Sequence, residues 1–332
     1  MRTIICAVFL LFTADLLLAA DSPGTATSTA AADMAALATS TDEDFVIGPD
    51  YTNDPETKPN PDVPKGALYH FTMNSVDSKI YPGLNGPYKR DVYVYVPRQY
   101  APGTPAPFIV AQDGKAYINR LPVILDNLIA EHRLPVMIAV MIHNGGGDGR
   151  GSERGLEYDT MSDRYARFVE TEVLPKISKD YQIAFTKDPD GRATMGGSSG
   201  AACAFTMAWF RPDLYRRVLS YSGTFVNQQS PFNPASPHGA WEYHEHFISQ
   251  SDVKPLRIWL EVGENDAGFD RDEASLHNWV IANHHMAAVL KAKGYHYRFI
   301  FCKGAKHVDH RVVSETLPGA LLWLWQGYPI GK

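Results

Sequence analysis

Cysteine is almost missing from this sequence, at three in 332 residues. That excludes a disulfide framework of the kind that holds small secreted domains together. Cys6 sits in the N-terminal apolar run, which leaves Cys203 and Cys302. Both stand in apolar surroundings and are expected as buried free thiols, with pairing of the two as the alternative. No Cys/His spacing of a metal site occurs, and no metal is expected. Positive charge is also scarce: 31 Lys and Arg against 37 Asp and Glu give a net charge of −6. With no basic stripe anywhere, a nucleic-acid partner is excluded. There is no internal repeat. Beyond the first twenty residues no apolar run is long enough to span a bilayer, which takes about 20 residues.

The N-terminus has the parts of a secretory signal peptide over residues 1–20: Met1-Arg2, a mostly apolar run interrupted by Asp15, and Ala19-Ala20 before DSPGTATSTA. An uncut anchor is the alternative. The mature protein is expected to be secreted or periplasmic, with no stable membrane association. Residues 21–63 are rich in Ala, Thr, Ser, Pro and Asp and show no sustained period. Such composition buries too little apolar surface to offset chain entropy, so the segment is expected to be loose or draped over the body.

From residue 64 to 332 the pattern becomes regular. LYHFTM and RDVYVYVP alternate apolar and polar residues, as half-buried antiparallel strands do. PFIVAQDG, PVMIAVMIHN, RATMGG, RVLSYSG, LRIWLEVG and YRFIFCKG are short apolar runs closed by Gly, Asn or Asp, the mark of parallel strands covered on both faces. Helical spacing fills the intervals, as in YINRLPVILDNLIAEHR and SLHNWVIANHHMAAVLKAKG. This predicts one doubly wound, mostly parallel sheet of about eight strands with helices on both faces.

The run Gly196-Gly197-Ser198-Ser199-Gly200 lies between a buried strand and a small-residue helix. That is the context of a nucleophile elbow, in which a strained strand-to-helix turn exposes a serine. A serine needs a base and an orienting acid, which in this fold follow it in the order acid, then histidine. Strand ends at Glu264-Asn265-Asp266 and Ala305-Lys306-His307 supply them. Asp266 is the preferred acid over Glu264 and Asp270, and His307 the preferred base over His310. The oxyanion amides are expected from Ser199 and from Lys115, with Gly114 as the substitute, after PFIVAQDG. The loop HNGGGDGRGS lacks both a G-K-[ST] sequence and an immediate helix, so no dinucleotide cofactor is expected. It reads instead as an active-site loop that places Arg154 and Glu157 near the substrate. Trp241 lies in the insertion before LRIWLEVG and is a further substrate-binding residue. His244-Glu245-His246 lacks a third metal ligand in register.

With these residues in view, 66–328 resembles the putative-esterase family of the α/β-hydrolase fold. That family includes enterochelin esterases, esterase D and feruloyl esterases of carbohydrate esterase family 1. The likeness rests on RDVYVYVP, QDG, RGLEYD, TEVLPKI, GGSSG, VGENDAG and GAKH. It implies a cofactor-free serine esterase with Ser198, Asp266 and His307 as its triad, acting on a small-molecule or carbohydrate ester. An acyltransferase with the same triad, or a silent binding protein on the same fold, are the alternatives.

Overall fold

The apolar runs closed by Gly, Asn or Asp form the middle of one mixed sheet in the computed structural model, which describes residues 42–330. The strands are β1 (Asp44–Ile47), β2 (Ala67–Asn74), β3 (Lys89–Val96), β4 (Phe108–Gln112), β5 (Ile138–Ile142), β6 (Arg192–Gly197), β7 (Arg217–Tyr221), β8 (Arg257–Asn265) and β9 (His296–Lys306). Their spatial order is β1-β9-β8-β7-β6-β4-β5-β3-β2. All residues of β4, β5, β6 and β7 are buried, which is why their sequences are nearly continuous in apolar residues. The alternating β2 and β3 pair antiparallel at the other edge, from Ala67↔Val96 to Asn74↔Lys89.

Helices α1 (Leu121–Ala130), α2 (Glu153–Tyr158), α3 (Arg164–Phe168), α4 (Leu174–Tyr181), α5 (Ser199–Phe210), α6 (Ile248–Gln250), α7 (Trp279–Lys293) and α8 (His310–Leu324) fill the connections. Leu121 and Leu125 of α1 and Leu317 and Leu321 of α8 pack with Trp259 and Ile300 on one side. Residues of α3, α5 and α7 pack into a second core on the other. Cys203 and Cys302 belong to different cores and remain free buried thiols. Helix α8 begins ahead of the apolar run TLPGALLWLW because Asp309 caps it, its carboxylate accepting from the Arg311 amide at 3.0 Å. Among the described residues no helix is long and apolar enough to cross a membrane.

The expected fold class holds, with one strand more than the eight counted from the sequence. β1 lies inside 21–63, the stretch expected to be loose, and pairs in parallel with β9 from Asp44↔Phe299 to Ile47↔Cys302. Phe45 and Ile47 pack against the α8-side core. The following residues are pinned as well: the Asp54 amide donates to Ser314 O at 3.2 Å. The Asn127 side chain donates to the carbonyls of Glu56 and Lys58, both at 3.0 Å. Residues 42–63 are therefore not loose but laid over the body, and the folded unit starts before residue 64. The segment takes its order from a sheet edge and a helix surface made by distant parts of the chain. Residues 21–41 and the expected signal peptide lie outside the described residues.

This topology also determines where a site can form. From β4 the chain winds one way to β5 and the other way to β6 through β9. Open α/β sheets bind ligands outside the carboxyl ends of the strands at such a reversal. The loop after β4 and the turn after β6 meet there.

Candidate active site

Ser198 stands between β6 and α5 with φ 58° and ψ −130°. For a residue with a side chain this backbone costs on the order of 1–3 kcal/mol and persists only when its surroundings enforce it. Here the Ser198 amide donates to Tyr221 O at 2.9 Å, and Ser198 O accepts from the Thr224 amide at 3.2 Å. The flanking glycines are demanded by close approach. A Cβ on Gly196 would lie 2.4 Å from the Gly200 carbonyl carbon, and one on Gly197 would lie 2.9 Å from a Val308 methyl. The amides of Ala201 and Ala202 donate back to Ser198 O, leaving the Ser199 amide at the head of the helix.

His307 follows β9 directly, and its Nδ1 lies 2.5 Å from Asp266 Oδ1. Asp266 follows a bulge that ends β8, and its side chain is fully buried. Its Oδ1 also accepts from the Ala267 amide at 2.7 Å, and its Oδ2 from Ser222 Oγ at 2.6 Å and the Gly263 amide at 3.3 Å. The rival acids do not reach the histidine. Glu264 caps the Gly304 amide at 2.8 Å, and Asp270 is exposed. His310 is 84% exposed and faces Asp309. Ser198 Oγ rests 3.3 Å from Thr224 Oγ1.

Ser198 and His307 line one open cavity of about 380 Å³ with Asp113, Tyr117, Asp148 and Arg154. A larger cleft of about 780 Å³ beside β2 touches none of these residues. Asp113, after β4, has a left-handed backbone with φ 55°. Arg154 grips its carboxylate at 2.7 and 3.1 Å and also pairs with Asp148 at 2.6 Å. Arg154 thus reaches the cavity as expected, with its charge already matched by two carboxylates. Lys115 turns its ammonium to Asp91 at 2.8 Å, and it is not itself among the residues that line the cavity. Its neighbours Asp113 and Ala116 both line the cavity. Gly114 is buried instead, where a Cβ would sit 2.4 Å from the Met141 carbonyl carbon.

Two expected substrate contacts are corrected. The Glu157 side chain is completely buried, its carboxylate bound to Arg90 at 2.5 and 2.8 Å and to the Tyr88 hydroxyl at 2.9 Å. It neutralises a buried cation and does not face the cavity. Glu157→Gln is expected to lower stability by about 3–5 kcal/mol in chemical denaturation, because Arg90 loses its counter-charge. A stable variant with a raised KM would instead return Glu157 to the substrate site. Trp241 is 3% exposed and packs edge-on against His244 at 4.5 Å between ring centroids, inside the core.

Several residues around Ser198 carry no signal in the sequence. Ser222 joins Asp266 to the residue after His307: its Oγ donates to Asp266 and accepts from the Val308 amide at 2.8 Å. Thr224 accepts from Trp279 Nε1 at 3.2 Å, and the Trp279 ring stands edge-on to His307 at 5.9 Å. Asp159 accepts from the Gln228 side-chain Nε2 at 2.8 Å, and the same Nε2 reaches Ser199 Oγ at 3.2 Å. Burial pushes the Asp159 carboxyl up from 3.8 to about 6. Its folded value lies above its unfolded one, so the native state keeps a proton that the unfolded chain has released. Stability from this group falls as pH rises between those two values and stays lowered above them. Asp159→Asn is expected to remove up to about 3 kcal/mol of that fall. Denaturation of both proteins at about pH 4 and about pH 7 measures it; equal changes would contradict the assignment.

The family model described as "Putative esterase" matches residues 86–323. The uncharacterized protein YjcH of Bacillus subtilis (strain 168) is 23% identical over 212 residues, 62% of this chain and 80% of its own length. Among solved structures, the enterobactin esterase of Shigella flexneri aligns with a TM-score of 0.57 at 21% identity, over 82% of this chain and 62% of that one. The chain therefore spans less than two thirds of that enzyme. A CE1 ferulic acid esterase from Anaeromyces mucronatus aligns with a TM-score of 0.59 at 16% identity, over 83% of this chain and 96% of its own. At such identities these structures show a common fold. The family match, which runs from before β3 to the end of α8, goes further: the chain belongs to the Putative esterase family, on the α/β-hydrolase fold.

Proposed function

We propose that this protein is a secreted or periplasmic serine carboxylic-ester hydrolase with Ser198 as nucleophile, His307 as base and Asp266 as orienting acid. The observation that carries the reading is the His307–Asp266 pair at 2.5 Å facing the same cavity as a serine held on a strained elbow. Ser198 Oγ rests on Thr224 in the free protein, and its bond to His307 Nε2 across the shared cavity forms with substrate present, as such contacts commonly do. His307 takes the Oγ proton as Oγ bonds to the ester carbonyl carbon. The oxyanion is held by the Ser199 and Lys115 amides. Collapse expels the alcohol, which receives the proton from His307, and leaves an acyl-serine. Water, deprotonated by His307, then attacks the acyl carbon and releases the acid. Asp266 holds the imidazole in the tautomer that keeps Nε2 free.

The proposed substrate is a carbohydrate-linked, aryl or siderophore-type ester, in keeping with the open cavity and with the esterases that share the fold. A panel of feruloyl, acetyl-sugar, p-nitrophenyl and catecholate esters, with product analysis in the presence of added alcohols, tests the reading. Free acid as the main product supports a hydrolase. Acylated alcohol as the main product would replace water with an acceptor, and no turnover of any ester would leave a binding protein.

A further inference from the structure

The insertion between β7 and β8 holds a group of side chains that ester hydrolysis does not use. Residues Tyr243–Phe247 form one π-helical turn, a widened geometry often found at functional positions. It brings Glu242, Glu245 and His246 to one side, and His238 reaches the same place from the preceding strap. His238 Nδ1 lies 3.0 Å from Glu245 Oε2 and 3.7 Å from Glu242 Oε1. These three residues each offer a ligand atom within 4.8 Å of the others. His246 Nε2 lies on the far side of the same carboxylates, 3.7 Å from Glu245 Oε2 and 3.8 Å from Glu242 Oε2.

We propose that His238, Glu242, Glu245 and His246 bind one divalent transition-metal ion, zinc above all, which clamps the strap before the π turn onto it. Ligand atoms about 2.0–2.1 Å from a tetrahedral zinc lie roughly 3.3–3.4 Å apart. His238, Glu242 and Glu245 already offer one ligand atom each within 4.8 Å of the others, and His246 Nε2, 3.7–3.8 Å from the two carboxylates, has to swing toward them to complete the shell. Two imidazoles and two carboxylates without a thiolate suit zinc and its neighbours better than calcium or magnesium, which prefer all-oxygen shells. Glu242 is the independent sign that a cation belongs here. Its side chain is only 5% exposed, and its carboxylate meets the His238 amide at 3.1 Å and two imidazoles at 3.7 and 3.8 Å, with no Lys or Arg paired to it among the described residues. A carboxylate so far buried with no fixed cation beside it suits a metal ion. His244, the histidine between the two glutamates, is not a ligand, because its Nε2 meets Phe225 O at 3.0 Å in the interior.

The strap that this ion would hold also runs from Gln228, which bonds Ser199 beside the proposed nucleophile. The metal's place is nevertheless structural, and the inference stands or falls independently of the esterase reading. The test uses the full chain, purified without a histidine tag and stripped with a chelator. Titration with zinc chloride is expected to show one equivalent bound and a raised Tm. Cobalt in its place is expected to give the visible absorption of a tetrahedral site. His238→Ala, Glu245→Gln and His246→Ala, all at partly exposed positions, should each weaken binding by more than about tenfold. His70→Asn, which removes an exposed histidine paired with Asp91 far from the insertion, should bind as the parent does. No bound zinc, or zinc that persists in His238→Ala because His307 or scattered histidines hold it, overturns the proposal.

Discussion

Ser198→Ala is expected to reduce kcat on an activated aryl ester by about 10⁶-fold while leaving the fold intact. Loss of the nucleophile removes the acyl-enzyme route, and only the oxyanion amides and binding remain, worth about 10³–10⁴-fold over water. Little stability should go with it. The hydroxyl makes one contact, the 3.3 Å approach to Thr224, and Thr224 keeps its bond from Trp279. Ser198→Gly sharpens the point, since glycine tolerates φ 58° without strain. That variant should be equally inactive yet more stable than the alanine variant, by about 1 kcal/mol. Greater stability without activity would mark the strain as belonging to the site. Near-parental activity in either variant would remove Ser198 from the chemistry.

Asp266→Asn carries the second largest effect, a loss of about 10⁴-fold in kcat. Four donors converge on this carboxylate: His307 Nδ1, the Ala267 and Gly263 amides, and Ser222 Oγ. An asparagine must turn its NH₂ toward one pair of them. If it faces His307, the imidazole is driven to the tautomer with its proton on Nε2, which cannot accept from Ser198. If it faces Ser222 and Gly263, a buried donor meets donors and stability falls by about 1–3 kcal/mol. Kinetics and thermal unfolding measured together separate the two. Asp270→Asn and Glu264→Gln, at exposed positions, should change kcat by only a few fold, and a large loss there with an active Asp266→Asn would move the acid.

How much of this was legible in the sequence depended on the range over which each signal acts. The elbow could be read because its signal is local: Gly196 sits where strand and helix backbones touch, and Gly197 and Gly200 face side chains that leave no room for a Cβ. The pairing of Asp266 with His307 could be read from strand ends, since the sheet's winding gathers those ends on one side. The direction of a side chain was not legible. Glu157 stands one helical turn from Arg154, yet its partner Arg90 lies 67 residues away and draws it into the core. Trp241 stands in a loop by sequence and in a hydrophobic cluster by structure. β1 escaped notice because its four residues, DFVI, bury only one partly covered face. Ser222, Thr224 and Trp279 form no pattern along the chain and acquire meaning only once β7, β8 and α7 are packed. The histidines of the insertion lacked a third ligand in register because His238 arrives from the strap, seven residues before Glu245.

The most direct test of the central claim is labelling of the full chain with a fluorophosphonate, followed by mass spectrometry of the digested protein. One phosphonyl adduct per chain on the peptide carrying Ser198, with loss of esterase activity in step and no labelling of His307→Ala, is the predicted result. Activity that survives complete labelling, or an adduct on Ser199 or another serine with Ser198 unmodified, would contradict it.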